Sequence, residues 1–96
     1  MKKILLLLLL LLGLMDIASA DDVPSNVLKF RYSNACGGCN LQGANLKMSD
    51  FPGANLRDAN LSEVNFNYTD LSGANLSGAN LSGAFFYKAD LIGANF

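Results

Sequence analysis

Leucine or phenylalanine recurs at every fifth residue through the C-terminal part of the chain, without a slip. The series is Leu41, Leu46, Phe51, Leu56, Leu61, Phe66, Leu71, Leu76, Leu81, Phe86, Leu91 and Phe96. On an α-helix, five residues turn the side-chain direction by about 500°, so these side chains would scatter around the axis. Along a straight strand, an odd spacing places successive members on opposite faces. All of these side chains can be buried in one core only if the backbone turns once in each repeat. The pattern therefore predicts a solenoid with a column of Leu and Phe as its core.

The other positions of the repeat support such a coil. A small side chain stands two residues before each Leu or Phe, and Asn or Asp stands between the two in every repeat except at Phe85. Residues two apart in a short strand share a face, so the small residue points inward and the Asn or Asp outward. Glycine two residues after the Leu or Phe supplies the corner. Asp takes the middle position only at Asp50, Asp70 and Asp90, and this spacing of twenty favours four repeats per coil.

The first twenty residues have the pattern of a secretory signal peptide. Lys2 and Lys3 precede an apolar run, and Ala18-Ser19-Ala20 forms an A-x-A cleavage site. A membrane anchor is the alternative, but the uninterrupted apolar stretch is shorter than the roughly 20 residues of a spanning helix. We therefore expect residues 1–20 to be removed. The mature chain is then expected in the periplasm or outside the cell, free of the membrane, where disulfides persist.

Composition limits the functions open to the mature chain. Without Lys2, Lys3 and Asp16, the 7 basic and 8 acidic residues become 5 and 7, a net charge of −2. This balance offers no basic patch for nucleic acid. The chain also has no His, the commonest general base and metal ligand. We expect a protein that is not an enzyme, that uses no cofactor and that binds no nucleic acid.

The repeat motif A-(N/D)-L-x-x, as in Ala44-Asn45-Leu46, resembles that of the pentapeptide-repeat proteins. The resemblance covers residues 39–96. It implies an all-β fold, a right-handed quadrilateral β-helix of about three coils over residues 36–96. The segment Cys36-Gly37-Gly38-Cys39 is similar to a recurrent C-x-x-C entry into such helices. Some cytoplasmic members mimic DNA and bind topoisomerases, a remote alternative for a short, mildly acidic chain with a signal peptide.

Several repeats depart from the motif. Ser49, Val64 and Thr69 take the place of Ala and alter the inner wall. Phe85 replaces Asn or Asp and is therefore expected to face outward. Pro52 has no N–H, so we expect one hydrogen bond of the ladder to be missing there.

Phe96 is the last residue of the sequence and lies in register with the repeats. A coil with nothing after it would show an apolar cross-section and unpaired backbone groups. We expect this coil to associate with a second copy, to fray, or to continue in a longer chain.

The Cys36 and Cys39 pair leaves three interpretations open. The pair forms a structural disulfide that staples the first coil, packs as reduced thiols, or carries thiol-disulfide chemistry. Redox enzymes of the thioredoxin type need a βαβ context that the sequence lacks. A metal site would need further soft ligands. We favour the structural disulfide because Cys39 takes an inward position.

The column of Asp50, Asp70 and Asp90 is a weak candidate for a metal site. Carboxylates stacked about 5 Å apart repel one another and can share a hard cation such as Ca²⁺. Asp and Asn in this position also commonly satisfy backbone groups of the turn. We favour the second role and predict no metal.

A candidate partner surface follows from the stacking of coils. A period of twenty brings Met48, Tyr68 and Lys88 into one column and Lys47, Asn67 and Tyr87 into the next, with Phe85 near them. Exposed aromatic side chains grouped on one surface mark protein or glycan contacts, whereas scattered ones are ordinary. The predicted surface consists of Tyr68, Phe85, Tyr87 and Lys88.

Residues 21–35 precede the coils and form a cap or a linker. Ser25 or Asn26 is expected to cap a short helix. Apolar residues of this segment are expected to cover the first coil: Val27, Leu28, Phe30 and Tyr32. The alternative is a disordered leader to the repeats.

The sequence thus favours a non-enzymatic exported repeat module, either a structural element or a scaffold for protein interactions. The alternative is a thiol-disulfide active protein that uses Cys36 and Cys39.

Overall fold

The computed structural model describes residues 22–96, so the predicted signal peptide lies outside the described residues. One helix, α1 (Val23–Ser33), precedes a solenoid that begins at Ala35. Within residues 22–96, no helix is both long enough and apolar enough to cross a membrane. The described part of the chain is therefore a helical cap followed by a coil of repeats, and is not wholly β.

Helix α1 begins earlier than the sequence suggested. Asp22 is its N-cap, and the Asp22 carboxylate accepts hydrogen bonds from the backbone N–H and the hydroxyl of Ser25. The prediction that Ser25 or Asn26 caps the helix is therefore wrong. A carboxylate is a strong cap, and Pro24 in the first turn lacks an N–H that would have no partner there. The helix ends at Asn34, whose φ is 58° and whose N–H donates to the carbonyl of Phe30.

The solenoid is held by isolated parallel bridges between residues twenty apart. They run from Ala35–Asn55 and Asn40–Asn60 to Asn75–Asn95. Four repeats thus complete one coil, and residues 22–96 contain no strand longer than a single bridge residue. In a typical bridge, Leu41 N–H donates to the carbonyl of Asn60 at 2.9 Å, and Asn60 N–H donates back to the carbonyl of Cys39 at 2.8 Å.

The repeats turn their corners in a common way. At every small residue except Ser49, the N–H donates to the carbonyl of the residue at the Leu position three residues earlier, as Ala44 does to Leu41 at 3.0 Å. The residue two positions after the Leu or Phe has a positive φ in every described repeat. The side-chain oxygen of the middle Asn or Asp then accepts the N–H two residues later, as Asn60 does from Ser62 at 3.1 Å.

Pro52 does not interrupt the ladder, so the predicted missing hydrogen bond is a wrong prediction. The N–H groups of Phe51 and Gly53 donate to the carbonyls of Asp70 and Ser72, each at 2.7 Å. Pro52 occupies the position whose N–H turns back to the middle side chain in other repeats. What it removes is therefore a local bond to Asp50.

The core column is buried at its start and becomes exposed toward its end. Its buried members are Leu41, Leu46, Phe51, Leu56, Leu61, Phe66, Leu71 and Leu76, whereas Leu81, Phe86 and Leu91 are only partly buried. Phe96 is 61% exposed. The departures in the inner wall fit this core: Val64 is fully buried, and the buried hydroxyl of Thr69 donates to the carbonyl of Leu46 at 2.7 Å.

Helix α1 covers the first coil and replaces the coil that would precede it. The Phe30 ring packs on Phe51 with centroids 4.2 Å apart, and Val27 is partly buried against the core. Leu28 and Tyr32 are half-exposed.

Side chains near helix α1 also complete the backbone bonding of the first coil. In the second coil, the carbonyls of Asn60, Asn65 and Ser72 accept N–H groups from the coil before. The equivalent carbonyls of the first coil accept side-chain donors instead: Asn26 donates to Asn40 at 3.0 Å, Arg31 to Asn45 at 3.2 Å, and Asn34 to Pro52 at 2.8 Å. The cap therefore satisfies acceptors that would otherwise have no partner.

Candidate partner-binding surface

One corner of the solenoid differs from the other three. Its columns are Lys47, Asn67, Tyr87 and Met48, Tyr68, Lys88, and we call these six residues the aromatic corner. The other three corners carry at least one glycine at the positive-φ position: Gly38 and Gly78, Gly43 and Gly83, and Gly53, Gly73 and Gly93. The aromatic corner carries none.

The absence of glycine is energetically unfavourable. Met48, Tyr68 and Lys88 have φ values of 53°, 59° and 54°. A residue with a Cβ in this left-handed region is strained by about 1 kcal/mol or more, and glycine would remove that strain. Strain of this kind in all three coils favours a role for the side chains themselves.

The side chains of the aromatic corner lie close together. The rings of Tyr68 and Tyr87 meet edge to face, with centroids 5.6 Å apart. The Nζ atom of Lys88 lies 5.5 Å from the centroid of Tyr87 and 6.0 Å from that of Tyr68. These distances allow cation–π attraction, so the lysine and the two rings support one another's positions.

Asn67 holds the backbone of this corner at Phe85, where the repeat motif fails. In the other repeats of residues 39–96 this position is Asn or Asp, and its side chain accepts the N–H two residues later wherever one is present, which excludes Asp50 because Pro52 has no N–H. Phe85 cannot do this. The Oδ1 atom of Asn67, in the coil before, accepts the Tyr87 N–H at 2.8 Å instead. Asn67 therefore positions Tyr87.

The surface is well exposed to solvent. The exposed fractions are 69% for Met48, 52% for Tyr68, 56% for Phe85 and 60% for Tyr87. The structure brings Tyr68, Tyr87 and Lys88 together. Phe85 lies on the adjacent face, in the bridge column that also contains Asn45 and Asn65. The result is a convex ridge of aromatic and basic side chains beside one exposed Phe.

The family of the chain is settled by its repeats. The profile of the family described as Pentapeptide repeats (8 copies) matches residues 39–78 and 59–96, which together make up more than half of the sequence. The chain is a pentapeptide-repeat protein. Pentapeptide-repeat proteins are generally structural and non-enzymatic, and membership implies a right-handed β-helix.

A similar solved structure comes from the same family. It is the crystal structure of a pentapeptide repeat protein, Rfr23, from the cyanobacterium Cyanothece 51142. The two sequences are 22% identical, the alignment covers 77% of this chain and 95% of that one, and the TM-score is 0.44. No curated protein sequence matches this pentapeptide-repeat protein.

The two cysteines of this pentapeptide-repeat protein close its first corner. Their sulfur atoms are 2.06 Å apart, at disulfide-bond distance. Cys36 lies five residues before Leu41, so it occupies the Leu position of an additional repeat, and Cys39 occupies the small position. The Cys39 N–H donates to the carbonyl of Cys36 at 3.0 Å, the same bond that Ala44 makes to Leu41 and Ala54 to Phe51.

The location of the disulfide disfavours redox chemistry. Cys36 is 1% exposed and Cys39 5%. Helix α1 covers the pair, with the Cys36 sulfur 3.8 Å from the carbonyl of Asn26. A redox-active pair needs at least one sulfur open to a partner thiol.

The bridges align Asp50, Asp70 and Asp90 in one column. Within residues 22–96, however, no three His, Cys, Asp or Glu side chains are grouped so that they could hold a metal ion. Asp70 accepts the N–H of Ser72 at 2.9 Å and Asp90 that of Ile92 at 3.0 Å. The hydroxyl and the N–H of Ser72 lower the pKa of the Asp70 carboxyl. These carboxylates thus act on the turns of their own repeats.

Proposed function

We propose that this pentapeptide-repeat protein is a non-enzymatic scaffold that acts outside the cytoplasm and contacts a protein partner through its aromatic corner. Phe85 extends the same surface onto the adjacent face. In this proposal the repeats form a right-handed quadrilateral β-helix, as the family implies. Its role is to hold the ridge rigid, so that the partner meets an ordered surface.

One observation carries the proposal: the aromatic corner retains three large side chains at positions where the backbone favours glycine. Tyrosine, phenylalanine and methionine are also among the side chains enriched at protein interfaces. The other corners use glycine at this position in at least two of their three coils, and Asp58 and Glu63 are the exceptions; the aromatic corner uses it in none.

Site-specific photo-crosslinking tests this proposal. A photoreactive amino acid replaces Tyr87 in one variant and Ser82 in a matched control, and both are expressed in the native host. Ser82 takes the equivalent position of the preceding repeat and is exposed. We expect a protein adduct from position 87 that position 82 does not give.

The combined substitution Phe85→Asn and Tyr87→Ser provides the second arm. It restores the repeat motif at position 85 and removes two exposed rings, so the fold should persist while capture of the adduct partner by the purified protein is lost. Equal adducts from both positions, or capture unchanged by the two substitutions, would remove the proposed function.

Export is a separate part of the proposal and rests on the sequence of residues 1–20. N-terminal sequencing of the protein from the periplasm or culture medium should find Asp21 first. Protein retained in the cytoplasm with its first twenty residues would contradict export.

Self-association through the last coil stays a further prediction. Leu81, Phe86 and Leu91 are only partly buried there, unlike the equivalent residues of earlier coils. Sedimentation should detect a dimer that Leu91→Ser weakens. A monomer at all concentrations would contradict it.

A further inference from the structure

The aromatic corner also collects positive charge. Lys47 and Lys88 belong to it, and both are exposed. Arg31 joins them from helix α1, because its guanidinium donates to the carbonyl of Asn45 at 3.2 Å and to the hydroxyl of Ser49 at 3.3 Å. These two residues flank Lys47 and Met48, so Arg31 lies at the N-terminal end of the corner.

None of these three cations is neutralised by an ion pair within residues 22–96. The ion pair found there joins Arg57 to Asp58 at 3.5 Å, on a different corner. The Asp side chains of the solenoid nearest to the aromatic corner are those of Asp50, Asp70 and Asp90, which lie on the face that follows it. The face that precedes it carries Asn45, Asn65 and Phe85 and no acid, and the single exposed Glu63 lies on the corner beyond that face.

We infer that the aromatic corner and the face before it bind an acidic segment of a partner protein. This inference rests on the proposed function and adds the chemistry of the partner. Apolar side chains of the segment lie against Tyr68, Tyr87 and Phe85. Its carboxylates meet Arg31 and Lys47 at one end and Lys88 at the other. The two ends are two coils apart, roughly 10 Å at a coil spacing of about 4.8 Å.

The asymmetry of charge also gives the direction of approach. An acidic segment is attracted by the three cations and repelled by the Asp column on the following face. It therefore lies over the face with Asn45 and Phe85. Lys88 is already held beside two rings, so little side-chain freedom is lost when it pairs with a carboxylate.

A protein segment fits this surface better than an acidic glycan. A side-chain amide binds a sugar hydroxyl best when both its oxygen and its NH2 group are free, and two amides beside the rings have their oxygens already engaged. The side-chain oxygen of Asn67 is engaged by the Tyr87 N–H, and that of Asn65 by the Asn67 N–H at 2.9 Å. Met48, 69% exposed, offers an adaptable apolar contact that suits protein side chains.

Selection from a random-peptide display library on the immobilised protein tests the inference. The protein is purified from cells that express the full chain. We expect enriched peptides to be net acidic and to contain aromatic or aliphatic residues. Binding of the strongest peptide should weaken from about 50 to about 500 mM salt. Lys47→Gln with Lys88→Gln should weaken it about tenfold.

A matched control removes the same charge elsewhere. Lys29→Gln removes one cation from helix α1, and Arg57→Gln removes one from another corner. Together they should leave peptide binding unchanged. Both double variants should keep the circular dichroism and melting temperature of the parent, which separates lost binding from lost fold.

The outcomes distinguish this inference from the proposed function. If the enriched peptides are neutral or basic and still lose their binding to the Phe85→Asn, Tyr87→Ser variant, that result would overturn the acidic partner and support the proposed surface. If peptide binding is unaffected by those two substitutions, both the acidic partner and the proposed function are contradicted. Binding of polygalacturonate, sensitive to Lys47→Gln with Lys88→Gln, without binding of acidic peptides would overturn the assignment to protein.

Discussion

Two corners of this solenoid share a backbone conformation and differ completely in sequence. Gly53, Gly73 and Gly93 turn one corner with φ values of 66°, 67° and 72°, and Met48, Tyr68 and Lys88 turn the other with φ values of 53°, 59° and 54°. The comparison shows that the fold specifies the left-handed conformation and not the glycine. Where a large side chain is kept in spite of the strain, its contribution lies outside the folding of the corner.

The corner closed by the Cys36–Cys39 disulfide is a third kind, and substitutions there should change the free energy of unfolding most. Cys36→Ala with Cys39→Ala should lower the free energy of unfolding by about 2 kcal/mol, since the disulfide restricts a short loop of the unfolded chain. Urea unfolding with and without reductant measures this difference. The double variant should no longer respond to reductant. If the parent does not respond either, the stapled corner is held by its hydrogen bond alone.

A Cβ at the positive-φ position, already present in the aromatic corner, should destabilise the glycine corner when it is introduced there. Gly73→Ala should lower the free energy of unfolding by about 1 kcal/mol, because it places a Cβ at a left-handed position. Steric contact is not the cause, since the nearest heavy atom to a Cβ built at Gly73 is 3.9 Å away. Met48→Ala is the matched control and should change stability little, because the strain is present before and after. Urea unfolding of both variants provides the test.

The reciprocal substitution makes the comparison stricter. Met48→Gly should stabilise the protein, because it removes the strain from a side chain that is 69% exposed. If Gly73→Ala and Met48→Ala have equal effects, or if Met48→Gly destabilises, the two corners are not equivalent in backbone energy. Backbone strain at Met48 would then not mark a binding surface.

The regular part of this molecule is readable from sequence because each repeat makes the same physical demand. The spacing of Leu and Phe predicts the turning chain, and Asp50, Asp70 and Asp90 predict the coil of twenty residues that the bridges show. The signal for the aromatic corner was also present, because glycine is absent at 48, 68 and 88 in that same period. The period of twenty already placed these columns together, but the absence of glycine from one of them was not used as a signal.

The contacts that could not be predicted from the sequence join parts of the chain that the five-residue repeat does not relate to each other, or depart from the pattern of that repeat. Asn26, Arg31 and Asn34 reach carbonyls of the first coil only because helix α1 lies across it at a particular angle. The bond from Tyr87 to Asn67 crosses coils and compensates for a residue that sequence reasoning classed simply as outward-facing. Neither contact follows from local pattern.

The link between Asn67 and Phe85 leads to a test within the aromatic corner. Asn67→Ala should lower the free energy of unfolding by about 0.5–1 kcal/mol, the net value of one hydrogen bond. In a Phe85→Asn background the same change should have little effect, since the new side chain can accept the Tyr87 N–H as in other repeats. A double-mutant cycle from urea unfolding measures this coupling. Additive effects would show that Asn67 does not replace the lost turn bond.

The smallest effect is expected at Asp70, on the face after the aromatic corner, and it changes the free energy of unfolding only at acidic pH. Hydrogen bonds from the Ser72 hydroxyl and N–H hold the pKa of Asp70 below its ordinary value of 3.8. The stabilisation from this lowered pKa is present above that ordinary value and is lost as the pH falls through the lower value of the folded state. Asp70→Asn should therefore make the free energy of unfolding fall less steeply below about pH 4. Ser72→Ala, which removes only the hydroxyl bond, should give an intermediate slope in urea unfolding at successive pH values. An acid slope unchanged by either substitution would mean that Asp70 contributes nothing to the turn beyond what Asn supplies at the equivalent position of the other faces.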